Sequence, residues 1–385
     1  MINPRKPIRA LFVMRDICLG GVSKVAFQYL LALQQIDDFQ LTLVSLYPIS
    51  SDWARHFLDT HGIEYRDGLI SDPGKKEVFF LLKWVRKIRC HLEKLLLPTK
   101  LRRMSASCDV VLDFALPACF RYIQHLKTPL FGWVHMSFSV FQRDMVKRVM
   151  LPKYRRLICL TDSFKADYGK AYPALSQQVI RLYNPVDADE MRRAAEEPAP
   201  QDIEGPYFIA VQRLSKDKDV GAVIRAFKRF LLKRPDFRLC IVGEGSERHK
   251  LEAQAKDCPH IIFTGLLYNP YPLLKGAEAL ILSSTRKHGE GLGYVLLEAQ
   301  ALGVLCISSD VKAGPSEILS EGQAGYLFEP ESEDALYEAM CRAAGDEAAH
   351  RAMVQRATEQ LERFRADRIA EELVQEIRHV LAEDA

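Results

Sequence analysis

Short apolar segments rich in β-branched and aromatic residues alternate along the chain with segments of helical period. This alternation is typical of βαβ units, so the sequence predicts an α/β protein built on parallel sheets. The strands predicted in the first half are 8–14, 41–46, 110–114, 130–134, 157–160 and 179–183. The strands predicted in the second half are 207–211, 237–242, 261–264, 279–282 and 305–308.

A stretch rich in Ala, Glu and Pro lies between Asp187 and Pro206 and has no strand pattern, so it is the predicted linker. A chain of 385 residues is long enough for two α/β domains. We predict these domains at 1–190 and 206–365. After Ser332 the pattern is wholly helical, and residues 366–385 are expected to form a helix that packs back on the first domain.

The two halves of the chain differ in charge. Residues 1–190 hold 28 Lys+Arg against 18 Asp+Glu, whereas residues 191–385 hold 25 against 32. A basic half is expected to face an anionic partner such as nucleic acid or an acidic membrane surface. The acidic second half argues against a nucleic-acid-binding protein.

Nine scattered cysteines without a C-x-x-C pair fit neither a disulfide framework nor a zinc site, and they favour a reducing compartment. The short apolar run near the start is interpreted as a strand and not as a signal peptide, and no run reaches the roughly 20 apolar residues of a membrane-spanning helix. We therefore expect a cytoplasmic protein that is soluble or peripheral on the membrane.

The segment HGEGLGYVLLEAQALG at 288–303 carries the most specific chemistry, because Glu290 and Glu298 lie on either side of a glycine-rich helix start. Eight residues of helix would separate the two carboxylates by roughly 12 Å, close to the span from a ribose to a sugar across a diphosphate. Each carboxylate can accept hydrogen bonds from hydroxyl groups. The alternative is a surface helix with incidental glutamates.

The glycines of this segment suit a phosphate. Gly291 and Gly293 allow the backbone to approach a ligand closely. The free N–H groups of a helix that begins near Leu292 favour an anion, so a diphosphate is expected to bind there.

A second candidate site is VQRLSKDKDV at 211–220, directly after the first strand of the second domain. Ligands of parallel sheets bind at the carboxyl ends of strands, and Arg213 with Lys218 would neutralise a diphosphate leaving group. The alternative is a solvated basic loop. Lys216 and Lys218 stand beside two aspartates, which would also suit solvent.

Weaker signals come from single loop residues. Gly20 and Gly21 join the first strand to its helix, and Gly243 ends a strand of the second half. Turn geometry or packing explains such glycines as well as ligand contact does. His135 follows the predicted strand 130–134, where a residue of the cleft should lie, although a plain loop histidine is the alternative.

These residues are arranged as in glycosyltransferase family 4, which the chain resembles over nearly its whole length and most densely from 207 to 330. The shared order runs from a G-G loop through a His after a middle strand to the E-G-x-G-x-x-x-x-x-E element. The resemblance implies the GT-B fold, with two Rossmann-like domains on either side of a donor-binding cleft. It also implies relatives that extend lipopolysaccharide core or other surface polysaccharides.

The resemblance assigns a role to each matching position. It implies that Arg213 and Lys218 hold the donor diphosphate, that Glu298 binds ribose hydroxyls and that Glu290 faces the transferred sugar. It places His135 beside that sugar in the active site. It also implies donor contacts from the remaining matched positions, which are Gly20, Gly21, Thr264, Gly265, Gly291, Leu292 and Gly293. The family usually has Gly before the arginine where this chain has Gln212.

The resemblance further implies transfer with retention of configuration, without a metal or another cofactor, from a nucleotide-diphosphate sugar to a glycolipid or polysaccharide. No D-x-D element stands where a metal-bridged diphosphate would require one. UDP is the expected nucleotide. A sugar-nucleotide epimerase on the same fold and a non-catalytic membrane adaptor are the alternatives, and the complete set of charged residues disfavours the adaptor.

Residues 75–103 form a basic and strongly apolar segment, with ten Lys+Arg against Glu77 and Glu93. Such a segment predicts an interfacial helix that binds an anionic membrane surface. In this prediction one face carries Phe79, Phe80, Leu82, Trp84, Val85, Ile88, Leu92, Leu95 and Leu96. Lys83, Arg86, Lys87, Arg89 and Lys94 lie largely on or beside the other. The alternative is an ordinary helix whose apolar face packs in the core.

Overall fold

The computed structural model describes residues 6–18, 20–71, 80–114, 119–142, 151–312 and 314–383. The strands are β1 Ile8–Met14, β2 Phe39–Ser45, β3 Tyr65–Arg66, β4 Val110–Asp113, β5 Leu130–Val134, β6 Arg156–Cys159, β7 Val179–Arg181, β8 Tyr207–Val211, β9 Arg238–Val242, β10 Ile261–Gly265, β11 Ala279–Leu282, β12 Leu305–Ser309 and β13 Tyr326–Phe328.

The α-helices are α1 Gly21–Gln34, α2 Asp52–Thr60, α3 Phe80–Ser105, α4 Phe120–Ile123, α5 Phe138–Gln142, α6 Asp162–Ala171, α7 Ala188–Ala194, α8 Val220–Leu231, α9 Arg248–Ala255, α10 Tyr271–Lys275, α11 Tyr294–Ala301, α12 Gly314–Ile318, α13 Glu333–Gly345, α14 Glu347–Gln360 and α15 Ala366–Glu383. Short 3-10 helices span Leu151–Lys153, Pro173–Gln178, Lys216–Lys218 and Leu361–Phe364.

Two parallel sheets form the two halves of the molecule. The first has seven strands in the order β3-β2-β1-β4-β5-β6-β7, and the second has six in the order β10-β9-β8-β11-β12-β13. The central strands β4, β5 and β11 are buried along their whole length, as expected where helices cover both faces of a sheet. In both sheets the strand order reverses beside the first strand, and ligands of such sheets bind at that point, outside the carboxyl ends of the strands.

Two connections join the halves, and they are hydrogen-bonded to each other. The backbone N–H of Val186 donates to the carbonyl of Phe364 at 2.8 Å, and that of Ala366 donates to the carbonyl of Val186 at 3.2 Å. After the second connection, α15 packs against α1 of the first half. Arg378 of α15 there contacts both carboxylate oxygens of Asp38 at 2.6 Å.

The predicted strands agree with the structure to within two residues at each end, and four of them have the predicted bounds. Strands β3 and β13 were not predicted; each is short and lies at an edge of its sheet. The predicted linker is not irregular throughout, because α7 forms within it, with the side chain of Asp187 accepting a hydrogen bond from the N–H of Glu190 at 2.9 Å.

Helix α3 is apolar on two faces. Cys90, Leu97 and Leu101 are buried against the first half. The opposite face is exposed by 54–63% at Trp84, Val85, Ile88, Leu92, Leu95 and Leu96. The structure describes neither residues 75–79 nor the side chains of residues 80–83 and Arg86. Within the described ranges, no helix is long and apolar enough to cross a membrane.

Candidate functional site

Glu290 lies in the loop between β11 and α11, and its carboxylate accepts hydrogen bonds from two side chains of the same half. The ammonium group of Lys218 and the hydroxyl of Ser284 both donate to its Oε1. Lys218 Nζ also lies 3.3 Å from Ser284 Oγ. The side chains of Lys218 and Glu290 are only 16% and 11% exposed, so this ion pair is largely shielded from water and tightly positioned.

Lys218 and Arg213 lie in the loop after β8 but are held differently. Arg213 is 67% exposed and donates to Asp217 at 3.0 Å and to Ser215 Oγ at 3.0 Å. Asp219 accepts a hydrogen bond from the N–H of Ala222 at 3.3 Å and so begins α8. The two aspartates around Lys218 therefore have structural partners, and Lys218 is the one of the two basic residues that points at Glu290.

Glu298 occupies the second turn of α11 and is nearly buried, with 5% of its side chain exposed. Its Oε1 accepts hydrogen bonds from Tyr271 at 2.9 Å and from Lys24 at 3.2 Å. Lys24 belongs to α1 of the first half and lies 5.0 Å from the centre of the Tyr271 ring. Burial, followed by the negative charge of Glu298, raises the pKa of Tyr271 well above its usual value, so the phenol remains a donor.

The glycines of 288–303 bring the two halves into contact. A Cβ on Gly291 would lie 2.3 Å from the carbonyl oxygen of His135, and Ser137 Oγ donates to the carbonyl of His288 at 3.1 Å. Gly293 has φ 82° and caps α11, which begins at Tyr294, two residues later than predicted. The backbone of Leu292 packs so closely against Gly314 that only glycine fits there.

His135 lies at this junction, as expected for a residue at the carboxyl end of β5. Its Nε2 lies 3.0 Å from the carbonyl oxygen of Phe114, and because a carbonyl only accepts, Nε2 carries the proton. Burial lowers the pKa of His135 to about 4, so the ring is neutral at physiological pH and Nδ1 is its acceptor. A neutral imidazole can accept a hydrogen bond from a sugar hydroxyl.

Several other predicted site residues lie at or just after the carboxyl ends of strands. Gly20 and Gly21 precede and begin α1 and are exposed, and among the described residues no atom beyond the adjoining chain lies within 4 Å of an added Cβ. Thr264 and Gly265 end β10, where the Thr264 hydroxyl donates to the carbonyl of Gly265 at 3.1 Å. Gly243 has a packing role, because its Cβ position lies 2.0 Å from the carbonyl oxygen of Gln212.

The sequence reasoning did not identify Lys24, Tyr271, Ser284 or Ser137, although each contacts a predicted site residue or its loop. Ser284 follows a predicted strand, and this position could have marked it in the way that it marked His135. Lys24 and Tyr271 lie on helices far apart in the chain, and only the folded structure brings them to Glu298.

Comparison with known proteins shows which proteins the chain resembles in sequence. Residues 192–360 match the family model of glycosyl transferases group 1. The chain is 34% identical over 179 residues to an exopolysaccharide phosphotransferase of Streptomyces coelicolor and 25% identical over 232 residues to lipopolysaccharide 1,6-galactosyltransferase of Escherichia coli. These alignments cover 44% and 58% of this chain but only 18% and 60% of the relatives, so the chain spans less than two thirds of either.

The similarity of fold extends over the whole molecule. The structure of Anabaena HepE in complex with UDP and glucose superposes with a TM-score of 0.75 at 16% identity, covering 96% of this chain and 99% of that one. The chain therefore has the α/β GT-B fold of two Rossmann-like halves, and it resembles group 1 glycosyl transferases, among them enzymes of lipopolysaccharide and surface polysaccharide synthesis.

Proposed function

We propose that this protein is a retaining glycosyltransferase that moves a hexose or N-acetylhexosamine from a UDP-sugar to a lipopolysaccharide core or another lipid-linked glycan. The observation that carries the proposal is the position of the two carboxylates. Glu290 is held by Lys218 beside His135, and Glu298, eight residues further along the chain, is held by Tyr271 and Lys24. The GT-B fold and the similarity to group 1 glycosyl transferases support it.

In this proposal the donor lies along the start of α11. The diphosphate is stabilised as it departs by Lys218, by the N–H groups at the start of α11 and by the exposed guanidinium of Arg213. Glu298 accepts hydrogen bonds from the ribose hydroxyls, and Glu290 and His135 bind the transferred sugar. The acceptor hydroxyl attacks the anomeric carbon from the face that the diphosphate leaves, which retains the configuration, and its proton passes to the departing diphosphate. The cationic side chains make a metal unnecessary.

The test separates the two carboxylates. Glu298→Gln is expected to weaken the binding of bare UDP, because ribose loses an acceptor that carries charge. Glu290→Gln is expected to leave the affinity for UDP nearly unchanged and to lower turnover. If calorimetry gives both variants the same loss of UDP affinity, the assignment of the two ends is wrong.

A second measurement tests the reaction class. Wild-type protein is incubated with radiolabelled UDP-sugars and cell-envelope lipid, with and without EDTA. Label in the lipid, with the same anomeric configuration as the donor and unaffected by EDTA, supports the proposal. Epimerised nucleotide sugar without labelled lipid would instead indicate an epimerase, and binding without any turnover would indicate an adaptor.

We propose in addition that the exposed face of α3 binds an anionic membrane surface at the cytoplasmic side. Six large apolar side chains on one helix face are more than isolated surface residues, and such patches mark interaction sites. Lys87 and Arg89 are exposed on the two sides of this face, and Arg102 and Arg103 are exposed at its end. Cations around an apolar face are complementary to a layer of acidic headgroups.

The structure changes which variant tests this proposal. Burial lowers the pKa of Lys94, but the nearby side chains of Tyr47 and Cys90 raise it by more, so the net pKa is raised. Lys94 therefore lies toward the protein and is left unchanged. The charge variant replaces Lys87, Arg89, Arg102 and Arg103 with Gln. The apolar variant replaces Ile88, Leu92 and Leu95 with Gln, and its matched control is Leu232→Gln, which changes a side chain that is 86% exposed elsewhere.

Co-sedimentation is measured with phosphatidylglycerol vesicles and with phosphatidylcholine vesicles, at low and at high salt. We expect wild type and Leu232→Gln to bind the anionic vesicles, with weaker binding at high salt because exposed charges are screened. The charge variant is expected to lose the preference for anionic lipid, and the apolar variant to lose binding to both. Equal binding by all four proteins would contradict the membrane proposal.

A further inference from the structure

A cavity of about 390 Å³ lies beside the junction of His135 with the Glu290 loop, and its volume is within the range of small-molecule sites. It is formed by α5 and α6 of the first half together with the loop before α12 of the second. The side chains that matter for its chemistry are those of Ser137, Phe138, Ser139, Phe164, Asp167 and Lys312.

The lining combines an apolar wall with oxygen and nitrogen groups. Phe138 and Phe164 lie edge to face, with ring centres 5.4 Å apart. The hydroxyls of Ser137 and Ser139 lie 3.2 Å from each other, and the carboxylate of Asp167 is 21% exposed. A sugar ring has an apolar face of C–H groups and an edge of hydroxyls, so its two kinds of surface match the two kinds of wall.

The cavity belongs to both halves and touches the reaction site. Ser137 Oγ donates to the carbonyl of His288, two residues before Glu290. Lys312 of the second half lies 2.5 Å from Asp167 of the first half, and this ion pair closes one side of the cavity. The cavity is therefore complete only when the two halves are together, and a ligand in it would contact Ser137, two residues after His135.

We propose that this cavity binds the terminal sugar of the acceptor, with the carboxylate of Asp167 accepting hydrogen bonds from its hydroxyls. The proposal rests on the proposed glycosyl transfer. In that proposal Lys218 and Glu298 bind the donor on the other side of the Glu290 loop, which leaves this cavity for the acceptor. The acceptor hydroxyl would then enter the site past Ser137. Lys312 positions Asp167 from the opposite half.

The first test measures binding directly. The probes are octyl glycosides of glucose, galactose and N-acetylglucosamine, and saturation-transfer NMR is recorded with the full chain in the presence of UDP. The ring protons of at least one glycoside are expected to receive saturation. If only the octyl chains receive it, or none of the three probes binds, the cavity is not a sugar site.

The second test uses three variants. Asp167→Asn removes the charge that accepts from sugar hydroxyls and should raise the dissociation constant of the bound glycoside about 10- to 100-fold. Lys312→Gln breaks the same ion pair but keeps the carboxylate, so its effect should stay below about threefold. Lys250→Gln is the matched control, because it breaks another ion pair of a well-exposed lysine on the second half.

If Asp167→Asn and Lys312→Gln weaken binding equally, Asp167 acts only by holding the halves together and the proposal is overturned. UDP affinity, measured on the same variants, should not change. Glycoside binding without any turnover of UDP-sugars would mean that the proposed function fails while the sugar site stands. Turnover of UDP-sugars without glycoside binding would mean the reverse.

Discussion

The two carboxylates of the cleft have the same kinds of partner but from different sources. Glu290 and Glu298 each accept hydrogen bonds from one lysine and one hydroxyl group. For Glu290 both partners, Lys218 and Ser284, belong to the second half. For Glu298 the lysine is Lys24 of the first half. The Glu290 carboxylate is therefore held by side chains of one half alone, whereas the contacts of the Glu298 carboxylate depend on how close the two halves lie.

This difference suits Glu290 to the transfer step and Glu298 to nucleotide binding as the halves close. A group that must stabilise charge during transfer gains from being fixed in advance, since no reorganisation is then needed at the moment of reaction. A group that binds the nucleotide can exchange one partner for another as the donor enters. In this interpretation the ribose replaces Lys24 at Glu298. Removing contacts at each end tests the interpretation.

The largest effect is expected from Gly291→Ala, which disrupts the contact between the halves beside Glu290. The new Cβ would lie 2.3 Å from the backbone carbonyl of His135, and neither backbone can yield without moving the loop. A displacement of about 1 Å at a reacting centre lowers turnover about 100-fold. Steady-state kinetics measure the loss, and Gly345→Ala, where the added Cβ meets no atom within 4 Å, is the control.

Lys218→Met is expected to have the next largest effect. It removes the cation from a carboxylate that is 11% exposed and removes one charge-assisted contact to the diphosphate. Turnover should fall about 10- to 100-fold. Arg213→Ala, measured beside it, should also lower turnover if its exposed guanidinium turns toward the diphosphate. Wild-type kinetics in both variants would exclude these contacts.

Lys24→Met should have a smaller effect, and of a different kind. Partly exposed ion pairs contribute up to about 1 kcal/mol, so the balance between closed and open molecules should shift about fivefold. Small-angle scattering without a ligand should give a larger radius of gyration than for wild type, whereas turnover at saturating donor should stay near that of wild type because the ribose has then replaced Lys24. An unchanged radius of gyration would show that this ion pair does not hold the halves together.

A pH dependence of stability is expected at the Glu290 end. Because burial lowers the pKa of His135 to about 4, the unfolded chain binds a proton between pH 6.5 and 4 that the native chain does not. The histidine therefore lowers native stability as the pH falls through that window and has no effect above it. Melting temperatures at pH 5 and 7.5 should differ less for His135→Gln than for wild type.

Much of the fold follows from the sequence because most strands are long apolar runs that are buried on both faces. Strands of two and three residues, such as β3 and β13, are too short to show a period, and hydrogen bonds to a neighbouring strand define them. Composition also misled at α7, since the Ala, Glu and Pro of that stretch obscured a capping signal at Asp187.

The candidate site was predictable where its residues follow strands in order. His135 directly follows β5, Lys218 and Glu290 lie in the loops after β8 and β11, and the structure brings the three together. Residues that reach the site from distant elements had no such signal. The pairing of Lys24 with Glu298 joins positions 274 residues apart, and no local pattern carries that information.

The paired connections at Val186 restrict how the cleft can open. Two connecting segments joined by these backbone hydrogen bonds are expected to favour bending of the halves about one axis and to resist twisting. The Glu290 and Glu298 ends must then separate in one fixed direction, each in proportion to its distance from that axis, and the acceptor cavity opens in the same movement. A chain that ended at residue 360 would retain both sheets on a single connection and would lose this restriction to one axis.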